Sequence, residues 1–203
     1  MKPDQDIPAT TTLLLERLGD GRDQVAWSEF DERFRGVILS MALRLGLSRA
    51  DADEVTQDTM LQAFRDYKLG KYDRSRGRLS SWLIGIARNR IIDAMRRRRK
   101  EHGSLPLGIS EEDLSEVAVA QAFDHALERR IFERAWEWLQ ANTHGRDESM
   151  RAFELTAMRG VPVGEAAAQC SMSVDQVYVA RSRVSARLRE AVERFDQAYR
   201  DGL

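Results

Sequence analysis

The stretch WLIGIARNRIIDAMRRRRK, residues 82–100, decides how this chain folds. Its apolar residues recur at the three- and four-residue spacing that places side chains on one face of an α-helix: Leu83, Ile86, Ala87, Ile91 and Met95. The stretch ends in five consecutive cations, residues 96–100. It therefore predicts a helix that packs one stripe against a core and presents dense positive charge at its C-terminal end.

The same helical spacing runs through most of the chain, and no segment alternates between apolar and polar residues long enough to make a strand. We therefore expect an all-α fold. After residue 101 the composition shifts to glycine, proline, serine and acids, as in a linker. The chain is predicted to form two small helical domains joined by an acidic linker, with an N-terminal extension over 1–22, a first domain over 23–101, the linker over 102–118 and a second domain over 119–203.

Cap residues give the helix boundaries. A short helix is expected after Thr10 and a longer one over 24–45, closed by Gly46. Ser48 can cap the helix that follows, because a serine hydroxyl accepts from a backbone N–H of the first turn. Helices are also expected over 117–140, 148–158, 163–170 and 173–199.

Charge is strongly segregated, although the net charge is only -1. Residues 74–100 contain ten Arg or Lys and a single acid, Asp93. Four acids precede this basic segment without any base among them, and six acids without any base follow it over residues 101–124. Near-neutrality on average therefore does not exclude a polyanionic partner.

A helix-turn-helix pattern lies near the C-terminus. A short helix with Ala166, Ala167 and Ala168 precedes the turn CSMS, residues 170–173, and a long helix follows. In that motif the N-terminal residues of the second helix enter the major groove. The side chains expected near base edges are Asp175, Gln176, Val179 and Arg183, and those suited to phosphates are Arg181, Arg183, Arg187 and Arg189.

A capping box offers a second interpretation of two of these residues. In SVDQ, residues 173–176, Ser173 can accept from the Gln176 backbone while the Gln176 side chain reaches back, and Asp175 favours the positive helix end. The capping role explains their presence without forbidding base contact.

Both halves of the chain together resemble extracytoplasmic-function (ECF) sigma factors of the sigma-70 superfamily. The stretch DADEVTQDTMLQAFRDY, residues 51–67, with YDRSRGRLSSWLIGIARNRIIDAMRRRRK, residues 72–100, resembles sigma region 2. The stretch FELTAMRGVPVGEAAAQCSMSVDQVYVARSRVSARLRE, residues 153–190, resembles region 4. The resemblance implies a transcription initiation factor that binds core RNA polymerase and directs it to promoters.

The resemblance also implies roles for individual residues. Core polymerase would bind the acidic helix through Asp51, Asp53, Glu54, Gln57, Asp58 and Gln62. The minus-10 element and its melted non-template strand would meet Tyr72, Asp73, Arg74, Arg76, Arg78, Trp82, Asn89, Asp93, Arg96, Arg97, Arg98 and Arg99. The minus-35 duplex would meet Ser173, Asp175, Gln176, Tyr178, Val179, Arg181, Arg183 and Arg187. An anti-sigma factor is a further implied partner.

Three residues of the region 2 helix have competing interpretations. Trp82 is favoured as a core residue over a stacking platform, because large aromatics usually serve packing. Asn89 interrupts an apolar and basic helix and is the better candidate for reading a base. Gly85 costs up to about 1 kcal/mol against alanine within a helix, and we interpret it as a notch for packing.

Other function classes find little support. One cysteine, Cys170, and three scattered histidines give no disulfide and no metal spacing, so Cys170 is expected to be a small buried residue. No nucleophile and base pair or phosphate loop is visible, so we expect no enzyme, no cofactor and no metal. No signal peptide or membrane span is apparent, so the cytoplasm is expected.

Two alternative functions remain open from the residues alone. The first is a free-standing helix-turn-helix regulator, which would bind duplex DNA tightly without polymerase. The second treats residues 82–100 as a basic amphipathic helix for anionic membranes. The second is disfavoured because the cations cluster at one end of the helix instead of along one face.

Overall fold

The computed structural model describes residues 9–19, 23–102, 114–143 and 148–200. Within these ranges the regular structure is helical and contains no strand, which confirms the all-α prediction. The helices are α1 Thr11–Gly19, α2 Gln24–Arg44, α3 Arg49–Lys68, α4 Leu79–His102, α5 Glu116–Ala141, α6 Glu148–Phe153, α7 Val163–Gln169 and α8 Val174–Arg200. A 3-10 turn over Arg74–Arg76 precedes α4, and a π-helical turn over Glu154–Met158 continues α6.

The helix ends follow the local capping chemistry. The Asp23 carboxylate accepts a hydrogen bond from the Ala26 backbone at 2.8 Å and begins α2. The Ser48 hydroxyl accepts from the Asp51 backbone at 3.3 Å, so Ser48 caps α3 as predicted. Gly46 follows α2 with a φ of 88°, a left-handed conformation that glycine adopts without steric cost.

The chain divides into two compact units, and the N-terminal unit contains residues 9–130 and 198–200. In it α1 packs on α2, α2 on α3 and α3 on α4. The stripe predicted for α4 is mostly correct, because Leu83, Ala87 and Ile91 are fully buried while Ile86 is half-buried. These side chains share the core with buried residues of α2 and α3, among them Phe30, Phe34, Ile38, Met41, Val55 and Ala63.

A buried arginine connects three segments of this unit. The Arg33 side chain on α2 is only 1% exposed. It donates to the Thr11 hydroxyl at 2.9 Å, the Ala9 carbonyl at 2.6 Å and the Glu29 carboxylate at 3.0 Å. Its guanidinium carbon also lies 4.7 Å from the centre of the Tyr199 ring. The start of the described chain and the last residues of α8 are thereby bonded to one α2 side chain.

The C-terminal unit contains residues 131–197. Its small core joins α6, α7 and α8 through Ala152, Ala167, Cys170, Val177 and Ala180. The expectation that Cys170 is a small buried residue is confirmed, and burial raises the pKa of its thiol.

The alanines of α7 do not all serve close packing. Ala166 and Ala167 are buried, as the small-residue pattern suggests, but Ala168 is exposed because it lies on the opposite side of the short helix. The turn that follows contains Ser171, whose φ of 53° is left-handed.

Along the sequence, the boundary between the two units falls after residue 130, inside α5. The functional domains predicted from composition, 23–101 and 119–203, divide the chain elsewhere and stay a prediction. The larger part of the predicted linker, residues 103–113, lies outside the described residues, as do residues 1–8 of the predicted N-terminal extension.

Candidate nucleic-acid interface

An aromatic cluster forms where the basic loop joins α4. The rings of Tyr67 and Tyr72 stack with centroids 5.9 Å apart, and the Trp82 ring lies 5.1 Å from that of Tyr72. Trp82 is half-buried, so the expected core position is only partly correct. Burial raises the pKa of both tyrosines above that of an ordinary phenol, a group that is already neutral at physiological pH.

A cleft opens beside this cluster. It encloses about 390 Å³ and is lined by the aromatic pair Tyr72 and Trp82, by polar residues and by cations. Asp73 also shapes the loop, because its carboxylate accepts from the Ser75 backbone at 2.8 Å and begins the 3-10 turn. The remaining lining residues are Lys71, Asp73, Arg76, Gly77, Arg78 and Ser81.

A second cleft of about 440 Å³ follows along α4. Asn89 is exposed and lines it together with Ser81, Gly85 and Arg88. The Arg88 guanidinium is positioned by a hydrogen bond to the Leu114 carbonyl at 3.0 Å. Ser81 lines both clefts, which therefore adjoin along α4 between Trp82 and Asn89, and Glu116 of α5 adds an acid to the lining of the second cleft. We call residues 71–99 with both clefts the loop–α4 surface.

The interpretation of Gly85 as a packing notch is wrong. A methyl group at Gly85 would meet no atom within 4 Å outside its own helix, and the residue is exposed in the second cleft. No helix packs against it in the described chain. Without a side chain at this position, the α4 backbone itself forms the wall of the second cleft there.

The cationic end of α4 lies against the acidic helix α3. Arg97 forms an ion pair with Glu54 at 2.7 Å, and Arg98 forms one with Asp51 at 2.7 Å. Arg98 also donates to the Ser48 hydroxyl at 2.9 Å. Residues that the sequence analysis assigned to two different partners are therefore bonded to each other. Arg96 and Arg99 are exposed on the same end of the helix, and Asp93 is exposed one turn earlier.

The other residues predicted to meet polymerase lie along α3. Asp53, Glu54, Gln57 and Asp58 are exposed, and Asp53 pairs within the helix with Arg49 at 2.9 Å. Gln62 is half-buried: its amide nitrogen donates to Asp66 at 2.8 Å and its amide oxygen accepts from Arg90 at 3.2 Å. Gln62 therefore bonds α3 to α4 in addition to any surface role.

The helix-turn-helix pattern of the C-terminal unit is present as α7, a turn and α8. The predicted capping box is confirmed in both directions: the Gln176 side-chain oxygen accepts from the Ser173 backbone at 2.7 Å, and the Ser173 hydroxyl accepts from the Gln176 backbone at 3.1 Å. Asp175, Tyr178, Val179 and Arg183 are exposed on the outward face, whereas Arg181 is half-buried.

Arg187 is less available than the sequence suggests. Its guanidinium donates to the Thr143 hydroxyl at 3.2 Å and it is half-buried. Arg189 lies further along α8 and is exposed.

Some lining residues were missed by sequence analysis. Ser81 and Arg88 line the second cleft but were not among the predicted site residues. The signal was present, because Ser81, Gly85 and Asn89 recur every four residues and so share one face of α4. Lys71, in the basic loop, pairs with Asp66 at 2.6 Å.

Two other kinds of site are absent from the described part of the chain. Within the described ranges no group of three or more His, Cys, Asp or Glu side chains could hold a metal ion. None of the helices in those ranges combines the length and the apolar character needed to cross a bilayer.

The loop–α4 surface lies within a part of the chain that matches a known protein family. Residues 30–101 match the family described as Sigma-70 region 2. The ECF RNA polymerase sigma factor RpoE of Cereibacter sphaeroides is 29% identical over 168 residues, which cover 81% of this chain and 91% of that protein. The ECF RNA polymerase sigma factor SigK of Mycobacterium bovis is 24% identical over 185 residues, covering 88% of each chain.

Among solved structures, that of CnrH in complex with the cytosolic domain of CnrY is 23% identical in sequence. It matches with a TM-score of 0.37 and covers 89% of this chain and 96% of that one.

Proposed function

We propose that this chain binds core RNA polymerase through α3 and promoter DNA through two surfaces, the loop–α4 surface and α8. The premise is its family: the chain belongs to the ECF sigma factors of the sigma-70 superfamily and is a transcription initiation factor. The observation that carries the proposal is that an aromatic cleft, Asn89 and the cationic end of the helix follow one another along α4.

The exposed acids of α3 suit a basic docking surface on polymerase. Asp53, Glu54 and Asp58 lie on two neighbouring turns and reach solvent, so a partner can approach them without unfolding the helix. A free-standing DNA-binding regulator would have no use for this acidic face beside its DNA surface, because it repels phosphates. The acidic face therefore favours the polymerase-dependent mode over the free-standing one.

The loop–α4 surface suits a melted strand. Extruding a base costs a few kcal/mol of stacking and pairing, so the protein must offer the freed base a replacement environment. The cleft beside Tyr72 and Trp82 offers aromatic surface, and Arg76 and Arg78 at its rim offer phosphate contacts. Asn89, in the adjoining cleft, carries both a donor and an acceptor and can therefore distinguish base edges.

The helix-turn-helix suits the minus-35 duplex. The first turns of α8 are exposed, and arginines further along the helix can contact phosphates and hold the register. An anti-sigma factor, the partner that the family resemblance implies, would regulate the chain by covering one of these surfaces.

Reconstituted transcription tests the proposal. The purified chain added to bacterial core polymerase should give a defined run-off transcript, and the chain alone should bind duplex DNA weakly. Changing Asp58→Asn should weaken core binding, whereas Glu16→Gln, an exposed acid on α1, should not. A chain that binds no core polymerase, or that binds one duplex tightly by itself, would refute the proposal.

A second experiment distinguishes contacts to base edges from contacts to DNA phosphates. Asn89→Ala should change the ranking of minus-10 variants, because an amide contacts base edges. Arg99→Ala should weaken all variants about equally and flatten the salt dependence, because a phosphate contact carries no sequence information. Equal losses across all variants for Asn89→Ala would contradict its role in reading a base.

A further inference from the structure

The outward face of the first turns of α8 carries two large exposed apolar side chains beside the polar Asp175 and Gln176. Val179 is 57% exposed and Tyr178 is 54% exposed. Val177, Ala180 and Val184 form the buried side of the same helix. Because 3.6 residues make one turn, Val179 lies on the side of α8 away from these buried residues, as its exposure shows.

The polar residue best suited to read adenine on this face is already engaged. The Gln176 side-chain oxygen accepts from the Ser173 backbone at 2.7 Å, so a bidentate contact with adenine would compete with the cap of α8 for that oxygen. Residues 174–180 contain no Arg or Lys, so the paired contact of a cation with guanine is also unavailable in the first two turns.

One feature of the major groove matches an exposed valine. The C5 methyl of thymine is the apolar group that base pairs present there, and aliphatic side chains contact it. We propose that Val179 selects a thymine in the minus-35 element through contact with its methyl group, an inference that rests on the proposed binding of α8 to that duplex. Burying one methyl group from water favours the complex about fourfold, so the contact discriminates without dominating affinity.

Deoxyuridine tests the contact directly, because it lacks only the methyl group of thymine and pairs in the same way. The full chain is assembled with bacterial core polymerase, and run-off mapping locates a promoter. Each thymine of the minus-35 element is then replaced in turn by deoxyuridine, and holoenzyme binding is measured. We expect one replacement to weaken wild-type binding about fourfold.

The variants assign the effect to a side chain. Val179→Ala should bind the thymine template about fourfold more weakly and lose all preference for thymine over deoxyuridine at that position. Val25→Ala, which changes a still more exposed valine on α2, should keep the wild-type preference. A circular dichroism melt of each variant, unchanged from wild type, shows that the helix-turn-helix is intact.

Three results would overturn the inference: a minus-35 element without thymine, deoxyuridine replacements that change nothing, or a Val179→Ala chain that still prefers thymine. If the preference survives in Val179→Ala but disappears in Tyr178→Ala, the contact belongs to Tyr178. Failure of the proposed function looks different, because the holoenzyme would then give no run-off transcript at all.

Discussion

Replacing Arg33 by alanine should destabilise the N-terminal unit by about 2–4 kcal/mol. The change removes charged hydrogen bonds to Thr11, Ala9 and Glu29, each contributing about 1.5–3 kcal/mol, and the stacking of the guanidinium on Tyr199. It also relieves the cost of burying the cation, which offsets several kcal/mol of that loss. Burial lowers the pKa of Arg33, while the Tyr199 and Glu29 groups raise it, so the same two effects oppose each other there.

Thermal unfolding followed by circular dichroism measures the effect. At about 2–4 °C per kcal/mol for a chain of this size, the melting temperature should fall by roughly 4–16 °C. Arg33→Met, which keeps the aliphatic stem without the charge, should lose less than alanine does. Arg35→Ala is the matched control, since Arg35 makes an exposed ion pair with Asp31 on the same helix and should cost under about 0.5 kcal/mol. Equal melting temperatures for Arg33→Ala and Arg35→Ala would refute the reasoning.

Three further predictions concern single positions. Glu54→Gln should raise binding of the polymerase-free chain to nonspecific DNA by up to about fivefold, because it removes the acid paired with Arg97. Asp53→Asn makes the same change in net charge and should raise binding less, so equal gains in a filter-binding assay would show only a net-charge effect. Gly85→Ala should raise the free energy of unfolding by up to about 1 kcal/mol, because the added methyl meets no atom of the chain; a loss of stability in urea titration would contradict this. Cys170 should react slowly with a thiol reagent at neutral pH in the folded chain and rapidly in urea, because burial raises its pKa; rapid reaction of the folded chain would mean that the α7–α8 turn opens readily.

Local features of this fold were predictable, since their partners lie a few residues apart. The caps formed by Ser48 and by Ser173 with Gln176 depend on a spacing of three residues, which the sequence displays directly. The apolar stripe of α4 depends on helical spacing, and only Ile86 is more exposed than expected. The sequence therefore determined where helices begin and which of their faces are buried.

Long-range contacts escaped prediction because nothing local signals them. Arg33 looks like any surface arginine of an amphipathic helix, yet residues that precede α2 and the last turn of α8 enclose it. Glu54 and Arg97 stand 43 residues apart, and their pairing requires the packing of α3 on α4. Gly85 was misinterpreted for a related reason. A glycine within a helix fits a closely packed neighbour and an open cleft equally well, and only the surroundings in the fold decide between them.

The ion pairs between α3 and α4 couple the two proposed binding surfaces, because in the free chain each surface is paired with the other. A polymerase surface that bonds Glu54 and Asp51 competes with Arg97 and Arg98 for these acids, and a guanidinium group released from its acid binds phosphate without first breaking that ion pair. Linkage requires the reverse as well, so promoter phosphates that engage Arg97 favour polymerase at Glu54 by the same factor. Exposed ion pairs contribute at most about 1 kcal/mol, which limits this coupling to about fivefold for each pair. Such coupling favours DNA binding by the holoenzyme over the free chain, while the larger part of that preference must come from strand opening at the clefts of α4.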